Sequence, residues 1–192
     1  MAIERVYKQQ QSPKLFDRVI QAMQDRLSGL AWLDHVFGRC ERLVKMSADG
    51  RRVYSPNVYK GDEEYILLTP DNTELGNYCF FVMEEPETVR HAVGERLHVR
   101  SPFSLILWVD MRTVGATYDD RNTDELKDAV LRLLDGSFLR EGAVTLQRVY
   151  ERSENVFQGF SLDEVENQYL MSPYWGMRLT GEMVVLQDCD NG

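Results

Sequence analysis

Hydrophobic and polar residues alternate most regularly along residues 103–114. Apolar side chains occupy every second position from residue 103 onward, as expected for the buried face of a β-strand. The opposite face carries Ser104, Ile106 and Trp108 before it becomes polar. A second alternating run covers residues 175–185. These runs predict two strands that frame the protein, with a helix between them in sequence.

Two segments have the period of an amphipathic helix. In residues 15–27 apolar side chains recur at helical spacing, after a Ser12-Pro13 pair that is typical of a helix start. The second helix is predicted over residues 123–135, where Asn122 and Glu125 have the spacing of a capping box. Both helices are expected to cover the same face of one sheet.

Residues 39–70 are expected to form a hairpin insertion, because Asp49-Gly50 lies between two alternating runs. Residues 30–37 are interpreted as a connector, and residues 162–170 as a short helix or an irregular crossing. Further strands are predicted over residues 78–84, which are apolar on both faces, and over residues 144–150.

The element order predicts an α+β fold, a mainly antiparallel sheet with two helices packed on one face, plus the hairpin insertion. Residues 1–192 are expected to form a single domain with a flexible arm over residues 1–11 and a polar tail over residues 187–192. The sheet face that carries Ile106 and Trp108 would stay apolar and uncovered unless the strands of the hairpin insertion or another subunit covered it. These two residues are therefore our candidate subunit interface.

Composition narrows the possible partners. The chain has 192 residues, of which 43% are hydrophobic and 28% charged, and its net charge is −9. Acidic residues are spread along the chain, which argues against a basic face for duplex DNA, so we expect no sequence-specific binding of nucleic acid. We also expect no membrane partner, because apolar runs are much shorter than the ~18 residues that a span requires.

Candidate chemistry is sparse. Cys40, Cys79 and Cys189 are too widely spaced for a zinc site, and they do not indicate a disulfide framework. His35 follows Asp34, but no nucleophile lies in a recognisable elbow or glycine-rich loop. We therefore predict no catalytic residue, no metal ligand, no cofactor and no enzymatic activity.

Three acidic or histidine sets are candidates for metal ligands. In one of them, Asp188 and Asp190, no distal glutamate follows to complete a calcium loop, and the pair is interpreted as a solvated turn. His91, Glu95 and His98 would share one helix face, but Gly94 interrupts that segment. The Asp119-Asp120 pair lacks the glycine of a calcium loop and is interpreted as a solvated turn.

The order of elements resembles that of the tail terminator proteins of long-tailed phages, the minor tail protein U type. The features that carry this likeness are the helix over residues 15–27, the strand over 103–111 before the helix over 123–135, and the final strands over 144–150 and 174–185. More loosely, the likeness extends to residues 67–78.

The resemblance implies a structural protein that forms a ring, expected to be a hexamer, at the end of the tail tube. Its implied partners are itself, the tail tube and the head-completion proteins. Its implied location is the bacterial cytoplasm during assembly and then the virion tail. The hairpin insertion is longer than this family requires, so no functional residues are transferred. The alternative is a non-enzymatic protein-binding module of another bacterial system, and an enzyme site built from scattered residues is a further rival.

Overall fold

The computed structural model describes residues 6–7, 12–91, 97–115, 123–134, 138–139 and 142–187. The elements in chain order are β1 (Val6–Tyr7), α1 (Phe16–Leu27), β2 (His35–Arg39), β3 (Glu41–Met46), β4 (Arg52–Gly61), β5 (Glu64–Leu67), β6 (Tyr78–Met83), β7 (Thr88–His91), β8 (Leu97–Asp110), α2 (Thr123–Leu134), β9 (Phe138–Leu139), β10 (Gly142–Tyr150), α3 (Ser153–Val156) and β11 (Tyr174–Gln187). Short 3₁₀ turns occur at Thr73–Leu75, Met111–Thr113 and Asn167–Leu170.

Within these residues, eight strands form the main sheet in the order β1-β2-β6-β8-β11-β10-β9, and β7 pairs along β8. The β1–β2 and β2–β6 pairs are parallel, and the other pairs are antiparallel. The two long strands β8 and β11 are paired from Asp110 opposite Tyr174 to Leu97 opposite Gln187. The predicted α+β fold with a mainly antiparallel sheet is therefore confirmed.

Both helices pack on one face of the main sheet. The apolar stripes of α1 and α2 meet the odd-numbered side chains of β8, and this cluster is called the helix-side core. Phe103, Leu105 and Leu107 are fully buried in it, as the alternation along β8 predicts. The helices remove the apolar side chains of this cluster from solvent, and their burial is a principal contribution to stability.

The opposite face of the main sheet is also covered, and by the same chain. Ile106 and Trp108 are 0% and 3% exposed, in a second cluster called the hairpin-side core. Val58 of β4 and Phe157 after α3 pack in this cluster. The assignment of Ile106 and Trp108 to a subunit interface is therefore corrected, because residues of the same chain already exclude solvent from both.

The predicted hairpin insertion forms a second, three-stranded sheet in the order β3-β4-β5. The Asp49-Gly50 turn joins β3 to β4, and Gly50 has φ +81°, a left-handed conformation that glycine adopts without strain. Pro56 lies within β4 opposite Arg42, where its missing N–H removes no bond to β3 because both residues turn their backbone groups outward.

Three local predictions differ from the structure. Helix α1 begins at Phe16, and the residue before it, Leu15, has φ +45° with no side-chain cap, so the Ser12-Pro13 start is wrong. Part of the predicted connector is the strand β2, which lies between β1 and β6. Val6–Tyr7, within the predicted flexible arm, forms the short strand β1. Residues 1–5, 8–11 and 188–192 lie outside the described residues, as do Asn122 and Gly136.

Candidate functional site

The three-stranded sheet extends beyond the core that it covers. Val58 is 1% exposed in the hairpin-side core, and cross-strand register places Tyr54, Val44 and Met46 on the same face as Val58. Val44 and Met46 are nevertheless 55% and 65% exposed. The β3 end of this sheet therefore presents apolar side chains to solvent on its inner face.

The strands β3 and β5 are the two edges of this sheet, and no described strand pairs with the outer side of either one. On the β5 side of β4, Pro56 O accepts from Leu68 N at 2.9 Å and Tyr54 O accepts from Ser161 N at 2.8 Å. Because Tyr54 turns its backbone groups away from β3, its partner Val44 must turn its own toward the outer edge. Within the described part of the chain, the outer edge of β3 thus carries backbone donors and acceptors that no other strand pairs.

The two edges have opposite charge. Residues 39–52 contain five basic and two acidic side chains, a net charge of +3 in a chain of net charge −9. Residues 60–67 contain one basic and three acidic side chains, a net charge of −2. The basic residues are Arg39, Arg42, Lys45, Arg51 and Arg52, and the acidic residues of the β5 side are Asp62, Glu63 and Glu64. The β3 side of the sheet therefore carries a net positive charge, and the β5 side carries a net negative charge.

A cleft of about 610 Å³ separates the beginning of β3 from the main sheet. Its charged lining consists of Arg39, Glu41, Arg42, Glu84, Glu85 and Arg178. Three basic and three acidic side chains line it, so the cleft does not present a single sign of charge to a ligand.

Arg178 anchors the base of this cleft. Its side chain is 7% exposed and forms an ion pair with Glu84, whose side chain is 36% exposed. The guanidinium also donates to Ser104 Oγ at 2.9 Å and to Gln158 O at 2.7 Å, while Ser104 Oγ donates to Glu84 Oε1 at 2.8 Å. These groups satisfy one another's charges and hydrogen bonds, so we assign the cluster a structural role. It links β8 and β11 to Glu84, which follows β6.

The two cysteines that the structure describes are held as thiols. Burial and the nearby Glu84 carboxylate raise the pKa of Cys40 to about 12. Burial also raises the pKa of Cys79, whose side chain is fully enclosed in the helix-side core. Since the thiolate is the nucleophile, neither side chain is activated for covalent chemistry.

Asp34 and His35 do not form a catalytic pair in the described geometry. Asp34 Oδ2 accepts from the backbone N–H of Asn77 at 2.8 Å, and the His35 ring stacks on Phe37 with centroids 5.7 Å apart. Among the residues described, no group of three histidine, cysteine or acidic side chains could hold a metal ion. Of the other residues weighed as ligands, Glu95, Asp119 and Asp120 lie outside that part of the chain.

Asn77, part of a Gly-Asn pair without an obvious function in the sequence, is a structural hub. Its Nδ2 donates to Trp32 O at 2.8 Å and to Thr113 Oγ1 at 2.7 Å, and its Oδ1 accepts from Asp110 N at 2.8 Å. Asn77 is 1% exposed, so these bonds hold the chain before β2 against the end of β8.

Comparisons with known proteins do not assign this chain to a family. Neither a protein-family model nor a curated protein matches this chain significantly. No helix in the described part of the chain is long and apolar enough to cross a membrane.

The charges along the two edges of the three-stranded sheet are visible in the sequence. Arg42 and Lys45 lie among apolar residues, and Asp62 and Glu63 belong to a turn that the sequence predicts over residues 60–63. A tally of charge over each predicted strand could have indicated the difference. Their position on opposite edges depends on the strand order, which the sequence pattern does not reveal.

Proposed function

We propose that this chain is a structural phage or prophage tail-assembly protein, of the tail terminator type, that forms a ring at the end of the tail tube. The observation that carries the proposal is the projecting edge of β3. Its exposed Val44 and Met46 and its unpaired backbone groups form a surface suited to another protein. The element order that resembles the tail terminators agrees with this assignment.

The chemistry of the described residues favours a structural role over catalysis. The buried polar cluster of Arg178, Glu84 and Ser104 is internally satisfied, and burial keeps Cys40 protonated. A sheet that the chain itself covers on both faces gives a subunit that is complete before it meets a neighbour. Such a subunit contacts other proteins through its edges and loops.

A non-enzymatic protein-binding module of another bacterial system is the second candidate. The same β3 edge favours it, since an edge strand can accept an extended segment of an unrelated protein. In that case one copy would bind one partner, and self-assembly into a closed ring would not occur.

Negative-stain electron microscopy of the full chain, alone and mixed with assembled tail tubes, tests the proposal. The expected result is a closed ring with the symmetry of a hexamer, seated at one end of the tube. The corresponding gene is expected between those for the tube protein and the head-completion proteins. A chain that leaves tube ends bare and is encoded within a metabolic operon would overturn the assignment.

A further inference from the structure

We propose that the outer edge of β3 in one copy pairs with the outer edge of β5 in a second copy, so that the three-stranded sheets of neighbouring copies join. The inference rests on the proposed function, because a ring of identical subunits needs two different surfaces that fit each other. The three-stranded sheet offers such surfaces at its two free edges.

The strand order gives the pairing its direction. β3 and β5 are each antiparallel to β4, so they run parallel to each other within one copy. Copies arranged head to tail in the same orientation would therefore join β3 to β5 as a parallel pair. Each copy would contact one neighbour through β3 and the other neighbour through β5. Such a heterologous contact closes into a ring when the rotation between copies permits.

Charge selects this pairing over the two self-pairings. Arg42 and Lys45 of β3 are exposed, and so are Glu63, in the turn before β5, and Glu64, the first residue of β5. On β3 the two basic side chains outnumber the acidic Glu41, so pairing β3 with β3 would bring together edges of like net charge, and so would pairing β5 with β5. Pairing β3 with β5 places the basic edge beside the acidic one. Because Leu67 O already accepts from Asn72 Nδ2 at 2.8 Å, the acidic beginning of β5 is its open part.

The side chains also match on each face of the joined sheet. On the inner face, Arg42, Val44 and Met46 would continue into Glu64 and Ile66, since Ile66 is paired with the inward-facing Val58. This arrangement would cover the apolar side chains that β3 leaves 55% and 65% exposed.

On the outer face, Lys45 would lie next to Tyr65, which is 45% exposed and packs on Tyr59 with ring centroids 5.3 Å apart. A lysine stem covers aromatic surface well while its ammonium group stays in water. Both faces of the junction thus combine apolar contact with opposite charge.

Charge reversal tests the pairing in solution. The basic-edge variant carries Arg42→Glu and Lys45→Glu, and the acidic-edge variant carries Glu63→Lys and Glu64→Lys. Sedimentation velocity at low ionic strength should give the unaltered chain an average mass that rises above 22.3 kDa with concentration. Each variant alone should associate at least about tenfold more weakly than the unaltered chain. Added salt should also weaken association of the unaltered chain.

Mixing the two variants gives the sharper result. The first variant has two acidic edges and the second has two basic edges, so an equimolar mixture should recover association with alternating copies. The controls are Arg132→Glu and Glu125→Lys on α2, which each reverse one charge, of either sign, at exposed positions away from the sheet. Both controls should associate as the unaltered chain does, and circular dichroism checks that every variant is folded.

A photo-crosslinker in place of Val44 locates the contact. In a mixture of isotopically light and heavy chains, mass spectrometry should find intermolecular crosslinks to residues 62–67. Crosslinks to any other segment would overturn the pairing, and so would a chain that stays monomeric at low salt or a mixture that fails to recover association.

The fates of this inference and of the proposed function can be separated. Rings that persist on tube ends in both charge-reversal variants would retain the tail terminator function and reject the edge pairing. Copies that join through β3 and β5 into open chains, with no affinity for tube ends, would retain the edge pairing and reject the function.

Discussion

Trp108 lies directly against Gly176 across the β8–β11 pair. The two residues are register partners, and a Cβ atom built on Gly176 would lie 2.3 Å from two ring carbons of the indole. On its other side the indole meets Phe157 edge-on, with ring centroids 5.3 Å apart. Trp108 is therefore held from both sides within the chain, and its place in the hairpin-side core depends on the absence of a side chain at residue 176.

Gly176→Ala should lower the free energy of unfolding by about 1–3 kcal/mol, because the added methyl group must displace a rigid, buried ring. Urea denaturation followed by fluorescence measures the change. Gly115→Ala is the matched control, since a Cβ at that position would have no atom within 4 Å. Equal stability of the two variants would contradict the close packing of Trp108 on β11.

Glu84→Gln should destabilise the protein by about 2 kcal/mol, because it leaves the guanidinium of Arg178 without its countercharge. This value is below the ~3–5 kcal/mol of a fully buried pair, since water reaches the Glu84 side chain. Adding Arg178→Met to Glu84→Gln should cost less than the sum of the single changes, which a double-mutant cycle measures. Asp128→Asn, in the exposed pair with Arg132, is the control and should cost under about 0.5 kcal/mol. Strict additivity would count against a coupled cluster.

Asn77→Ala should cost about 2–4 kcal/mol, because it removes the three hydrogen bonds that this buried side chain forms with Trp32, Thr113 and Asp110. Thermal or urea unfolding measures the loss. Asn167→Ala, at an exposed position in a 3₁₀ turn, serves as the control and should be nearly neutral. A small effect at residue 77 would mean that water replaces these hydrogen bonds readily.

Stability should fall as the pH rises above about 9. In the folded protein the pKa of Cys40 is raised to about 12 from 9.0, and burial raises the pKa of Cys79 as well. The folded state therefore keeps two protons that the unfolded chain loses, and each thiol lowers the free energy of unfolding by up to about 1.4 kcal/mol per pH unit.

Urea unfolding at several pH values between about 8 and 11 measures this slope. Cys79→Ala should make the slope shallower by the share of one thiol, whatever its effect on stability at neutral pH. Identical slopes in the two proteins would show that Cys79 ionises as readily when folded as when unfolded.

Long periodic segments allowed most of the fold to be predicted from sequence. The alternation along β8 and the helical period of α1 identify segments that bury one face. Burial of one face produces a local sequence pattern, so these elements can be predicted from sequence. The strand β2 was missed because its five residues are too few to show a period. The sequence pattern does not show what covers Ile106 and Trp108. The covering residues, Val58 and Phe157, are about 50 residues away on either side in the chain.

The candidate site depended still more on long-range contacts. Glu84 and Arg178 meet although 94 residues separate them, so no motif or spacing could predict the pair. Asn77 likewise joins segments 45 and 36 residues distant. The charges of β3 and β5 are legible in the sequence, but only the strand order places them on opposite edges.

Coverage of the main sheet on both faces by the chain itself separates folding from assembly. Arg42, Lys45, Glu63 and Glu64 belong to neither core, so under the proposed edge pairing a charge reversal there should disable association while leaving an intact subunit. Such a subunit would retain one working edge and could occupy the last position of a growing assembly. Produced together with the unaltered protein, it should act as a dominant-negative inhibitor at substoichiometric amounts.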